Sequence, residues 1–147
     1  MTFTLELQKF AAKTGAKMDE LVEDVVGYTI TQIDKRSPVG NPALWKSPPP
    51  AGYVGGRFRG NWQLGVGTVP AGVVARVDPG GLATVTAAIG EIPTDAAGRV
   101  YFYVNNLPYA QRLEHGYSTQ APAGIVGLTL IDAGARAEST ARELNAK

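Results

Sequence analysis

The chain has 147 residues, 44% hydrophobic and 18% charged, with a net charge of +1. That length is typical of one domain and supports one sizeable core without crosslinks, while the charge fraction is somewhat low for a folded protein. The near-balance of 14 basic and 13 acidic residues, mixed along the chain, argues against the basic excess or stripe of a free-standing DNA-binding domain. With no cysteine and only His115, there is little material for a disulfide, a thiolate metal site, a structural zinc site or a Ser-His-Asp triad. No signal peptide and no run of about 20 apolar residues is visible, so the expected site of synthesis is a cytoplasm, with no membrane partner.

The opening alternation of Phe3, Leu5 and Leu7 suits a short strand or an extended docking arm. Residues 8–14 suit a short helix that Gly15 ends. Residues 17–36 carry the clearest helical pattern. Met18, Leu21, Val22, Val25, Thr29 and Ile33 line one face, with acids early and Lys35 and Arg36 late, an order that complements the helix dipole. Ser37-Pro38 stops it.

Residues 37–56 hold half of the ten prolines and form a long, stiff loop. Loops of that length inside a domain are usually functional or disordered, and Leu44, Trp45 and Tyr53 argue against simple disorder. These groups either fold back on their own domain or dock on a neighbouring subunit. Residues 61–67 and 72–78 read as two strands joined by a turn at 68–71. Leu82, Val85, Thr86 and Ile89 predict a short helix ending at Gly90. Residues 99–105 are the most strand-like segment. Pro108 is placed for the first turn of a short helix, and Gly116 just past its end, where a positive φ is needed. Residues 124–145 predict a C-terminal helix, in preference to a strand over 125–131.

The glycines of GYVGG and VDPGG lack the lysine and the strand-to-helix setting of a phosphate loop and read as turns. Glu114 and His115 are adjacent on a helix and do not face each other, so they form no acid–base pair. The expectation is therefore a protein with no catalytic, cofactor-binding or metal-binding residues, which is not an enzyme. In GRFRGNW (56–62), Arg57 and Arg59 flank Phe58. A nucleic-acid surface would use them on phosphates, but the charge balance favours Phe58 and Trp62 in the core and the arginines in ion pairs.

Three stretches, SPV (37–39), GRFRGNWQ (56–63) and VNNLPYAQRLEHGYSTQAPAGIV (104–126), together resemble a known family. The most telling part is Tyr109-Ala110, then Leu113-Glu114, then Gly116, Ser118 and Ala121-Pro122. The order of these features over residues 17–145 resembles the neck proteins of tailed bacteriophages. These are the tail-completion or head–tail joining proteins of siphophages, similar to the minor tail protein Z of phage lambda. One departure is the insertion NPALWKSPPPAGYVG, where many relatives have a short turn.

The resemblance implies an α+β fold with a long N-terminal helix packed on a small antiparallel β-sheet, short helices and a C-terminal helix. It implies a virion subunit at the head–tail interface, made in the host cytoplasm. Its partners would be copies of itself in a ring, six being the expected number, a head-side connector or stopper protein, and a tail terminator or tail tube protein. DNA would pass through the lumen with non-specific contact, which the near-neutral charge suits. The alternatives are a tail terminator capping the tube and a DNA-binding packaging accessory. The residues expected to carry interface or structural roles are Trp45, Tyr53, Arg57, Phe58, Arg59, Trp62, Tyr109, Leu113, Glu114 and Gly116. Glu114, near the C-terminal end of a short helix, opposes that helix's dipole and is expected to pair with Arg57 or Arg59, within the chain or between subunits.

Overall fold

A computed structural model describes the backbone of residues 3–147 and the side chains of residues 13–147. In chain order the elements are α1 (Phe3–Arg36), a 3-10 turn at Pro42–Leu44, α2 (Arg57–Gly60), β1 (Trp62–Val66), α3 (Leu82–Gly90), β2 (Tyr101–Asn105), α4 (Ala110–Glu114) and α5 (Val126–Asn145). The class is α+β: a long N-terminal helix packed against the C-terminal helix, with a two-stranded antiparallel sheet and short helices beside them.

The short strand or extended arm expected at residues 3–7 and the break expected at Gly15 are all replaced by continuous helix from Phe3 to Arg36. One glycine lowers helix propensity by about 1 kcal/mol, too little to end a helix with good formers on both sides. Among the described side chains of α1, burial is concentrated near its end, at Ile30, Ile33 and Asp34. Of the six positions expected on its core face, only Ile33 is fully buried, and Met18 is exposed. α5 lies antiparallel to α1. Arg36 bonds Thr129 and Asp132 at one end of the pair, and Asp24 bonds Arg136 and Thr140 at the other.

β1 does not pair with residues 72–78, which form no strand. Its partner is β2, in a register that sets Trp62 against Asn105 and Val66 against Tyr101. The 72–78 segment still runs beside β1, but side chains replace the backbone ladder. Arg76 donates to the carbonyls of Gly60 and Trp62, both at 3.0 Å, and Asn61 Oδ1 accepts from the Val74 amide at 3.0 Å. The guanidinium thus occupies carbonyls that a neighbouring strand's amides would need.

α3, β2, α4 and α5 fall close to where the sequence predicts them. Pro108 lies before α4 rather than inside its first turn, since Tyr109 is the N-cap and Ala110 the first helical residue. The strand alternative for 125–131 is overturned by α5, whose Thr129 hydroxyl bonds back to the Ile125 carbonyl at 2.8 Å.

Candidate interaction surface

The two motif regions meet in one core. Phe58 and Trp62 from GRFRGNW pack with Ile33 of α1, Leu107, Ala121 and Ile125, and Tyr103, Ala110, Leu113 and Val126 close around them. Phe58 stands edge-on to Trp62 at 5.9 Å between centroids and lies 6.1 Å from Tyr109. Trp62 stacks on Tyr103 at 5.1 Å. Its indole N–H donates to Ser37 Oγ at 2.8 Å, which satisfies the polar atom of a residue only 5% exposed. Phe58 and Trp62 are core anchors, and Leu113 packs against them.

The charged members of the motifs sit on helix ends. Arg59 donates to the Ser37 carbonyl at 2.7 Å and, more weakly, to the Lys35 carbonyl at 3.4 Å, at the C-terminus of α1; its other amino group reaches Pro79 O at 2.7 Å. A cation there complements the helix dipole. It forms carbonyl bonds where ion pairs were expected. Glu114 accepts from the amides of Ile125, Val126 and Gly127 at 2.9, 2.8 and 3.0 Å, at the start of α5. The expected pairing with Arg57 or Arg59 is therefore not what holds Glu114 within the chain. Its position opposes the dipole of α4 but satisfies that of the four-fold longer α5. Burial works to raise the Glu114 pKa, yet the three amide donors outweigh it and hold it below the usual carboxylate range.

Gly116 has φ +84°, and its amide and that of Tyr117 return to the carbonyls of Leu113 and Arg112. A Cβ there would run into the Pro122 carbonyl. Arg57 is exposed and forms no ion pair among the described residues. Trp45 and Tyr53 pack on each other at 4.8 Å, and the Tyr53 hydroxyl lies over Gly40, too close for any Cβ there. Trp45 remains 41% exposed and Leu44 more so.

A buried carboxyl group lies near the end of α1, close against Gly81. Asp34 is 3% exposed, and its Oδ1 has no hydrogen-bond partner among the described residues; the same is true of Arg59 Nε and Tyr103 OH. Burial pushes Asp34 up to about 6, opposed by Arg59 and reinforced by Asp78. Burial, with Asp34 adding to it, also raises Tyr103 well above the usual phenol range.

No cluster of three or more His, Cys, Asp or Glu side chains suited to a metal occurs among the described residues, and no described helix is long and apolar enough to cross a membrane. Neither a protein-family model, nor a curated protein, nor a solved structure matches the chain.

Most of the sequence-predicted residues thus build the domain. The surface they leave uncovered lies elsewhere. α3 buries Thr84 and Ala88 and turns Leu82 (78% exposed) and Ile89 outward, the reverse of the face its apolar spacing suggests. α5 buries Thr129, Ala133, Thr140 and Leu144 and leaves Leu128, Leu130 and Ile131 (72% exposed) in solvent. A shallow groove of about 450 Å³ over Tyr28 and Thr31 of α1 separates Ile89 from Arg136 of α5. The sequence signal for these faces is the lack of any charged residue in α3 and over residues 126–131 of α5.

Proposed function

We propose that this chain is a non-enzymatic structural subunit of the neck of a tailed bacteriophage. It assembles as a ring, six copies being the number the family resemblance implies, between the head-side connector or stopper and the tail. DNA passes through the ring with non-specific contact. The observation that carries the assembly role is the set of large apolar side chains left in solvent on α3, α5 and the proline-rich loop: Leu82, Ile89, Leu130, Ile131, Leu44 and Trp45. Single exposed apolar residues are ordinary, but helix faces whose larger side chains point outward mark contact surfaces. The phage setting rests on the ordered motifs at 37–39, 56–63 and 104–126.

Native mass and negative-stain microscopy over a concentration series test the reading. Rings with a lumen wide enough for duplex DNA, which bind tails or connectors, support it. A chain that stays monomeric at every concentration and in the presence of tails and connectors overturns it. Capping of isolated tail tubes alone would favour a tail terminator. Retardation of DNA that falls steeply with salt would favour a packaging accessory.

A further inference from the structure

We infer that α3 and the glycine turn that starts it form a cover over Asp34, which stays seated on α1 while this carboxyl carries a proton and lifts when the proton is lost. Gly81, the N-cap of α3, lies directly against the acid, and a Cβ on it would run into the Asp34 carboxyl. Gly81 is also held by a second carboxyl. Its amide donates to Asp78 Oδ1 at 3.0 Å, and Asp78 Oδ2 accepts from the amide and hydroxyl of Thr84 at 2.8 and 2.7 Å. With Asp34 protonated, the start of α3 faces one negative charge, on the helix end that favours it. Loss of the proton sets a second charge near the first, inside the fold and without a hydrogen-bond donor among the described residues at Oδ1. Burial of an unpaired charge and repulsion by a like charge both favour a state in which Asp34 meets water.

The groups that face Asp34 come from three parts of the chain. Arg59 of α2 favours its charge but spends its amino groups on the carbonyls of Lys35, Ser37 and Pro79, and its buried Nε has no partner among the described residues. Arg76 and Asp78, before α3, act in opposite senses, and Arg76 is bonded to the carbonyls of Gly60 and Trp62. Tyr103 of β2 is close enough for the Asp34 charge to act on it, and its buried hydroxyl is likewise unpartnered. Beside Asp34 on α1, Lys35 is exposed, and α3 carries no charge at all. Burial outweighs the two guanidiniums and pushes Asp34 up to about 6. Of the elements around the acid, α3 is the one that moves at least cost. Its buried side chains are the small Thr84 and Ala88, so lifting it uncovers little apolar surface. By contrast, α1 is tied to α5 by Arg36 with Asp132 and by Asp24 with Arg136 and Thr140.

Hydrogen exchange of the full chain, read by mass spectrometry and corrected for the intrinsic pH dependence of amide exchange, tests the cover. Opening returns Asp34 from about 6 to its ordinary 3.8, so by linkage the opening constant rises about tenfold between pH 5 and pH 7.5. The amides of residues 85–91 should lose protection by that factor, while those of residues 133–144 in α5 keep theirs. Asp34→Asn cannot ionise and should hold the α3 amides equally protected at both pH values. Equal losses in α3 and α5 would make the effect global and overturn the cover. Protection of α3 that ignores pH overturns it, as does a decline that persists in Asp34→Asn. Should Asp34→Asn fail to fold, the wild type alone decides. The side-chain carboxyl of Asp34, followed by carbon-13 NMR, should titrate with the same midpoint as the loss of α3 protection. A carboxyl midpoint near the ordinary value of about 3.9 overturns the proposal.

Discussion

Glu114 stands 2.8 Å from the amide of Val126, the first residue of α5, so the end of one short helix closes the beginning of the last long one. The two amides on either side of Val126 complete a three-donor cradle around the same carboxylate.

Glu114→Ala removes the acceptor from three amides and should destabilise the chain by about 1–3 kcal/mol, the range of a strong N-cap plus a dipole contact. Glu114→Gln keeps one acceptor oxygen and should lose less. The folded-state pKa of Glu114 is depressed. Its contribution is therefore fully present above the unfolded value of about 4.3 and disappears as pH falls through the folded one. Urea melts between neutral pH and pH 3 should show an acid loss in the wild type that is smaller in Glu114→Ala. Parallel losses in both proteins would refute the cradle as its source.

Asp34 predicts the opposite slope. Its folded pKa is raised to about 6 from 3.8. Stability from this group is fully present below the unfolded value and is lost as pH rises through the folded one. The loss at pH 7 and above is on the order of a few kcal/mol, at about 1.4 kcal/mol for each tenfold change in proton affinity. Asp34→Asn should remove that decline, so the variant gains on the wild type between pH 4 and pH 7. A variant-to-wild-type difference independent of pH would show that Asp34 is uncharged throughout or is solvated in the fold.

Gly116→Val forces a β-branched residue to a φ of +84° and sets its Cβ against the Pro122 carbonyl. The expected destabilisation is about 1–3 kcal/mol. Gly116→Asn tolerates the φ but meets the same carbonyl, so it should fall between valine and wild type. Equal melting temperatures for all three would contradict the turn.

Trp45→Ala and Tyr53→Ala address the loop. Their ring pair is worth about 0.5–1.5 kcal/mol, so each monomer should remain folded with a small shift in Tm. The proposed assembly should be impaired in both, measured as ring formation at equal concentration. A large drop in Tm with normal assembly would assign the loop to its own domain.

The helix ends that the sequence makes legible are those with boundary chemistry: Ser37-Pro38 after α1 and Gly116 after α4. Phe58 and Trp62 are readable as anchors because large aromatic groups rarely stay in water when a core is within reach. The sequence pattern misses where partners depend on distant chain. Residues 72–78 alternate like a strand, but Arg76 and Asn61 take the positions of a ladder. Glu114 looks wrongly placed on α4 until α5 is known to start beside it. The orientation of α3 is illegible for a related reason. Thr84 faces inward because its hydroxyl and amide both bond Asp78 Oδ2, at 2.7 and 2.8 Å, which leaves Leu82 and Ile89 on the outside.

The two tryptophans occupy opposite environments: Trp62 is stacked on Tyr103 and bonded to Ser37 in the core, and Trp45 lies half-open on the loop against Tyr53. The chain therefore carries two intrinsic optical probes. In Trp45→Phe the remaining emission comes from the core and follows unfolding alone. In Trp62→Phe it comes from the loop and registers, as a blue shift, the moment a neighbour covers residue 45.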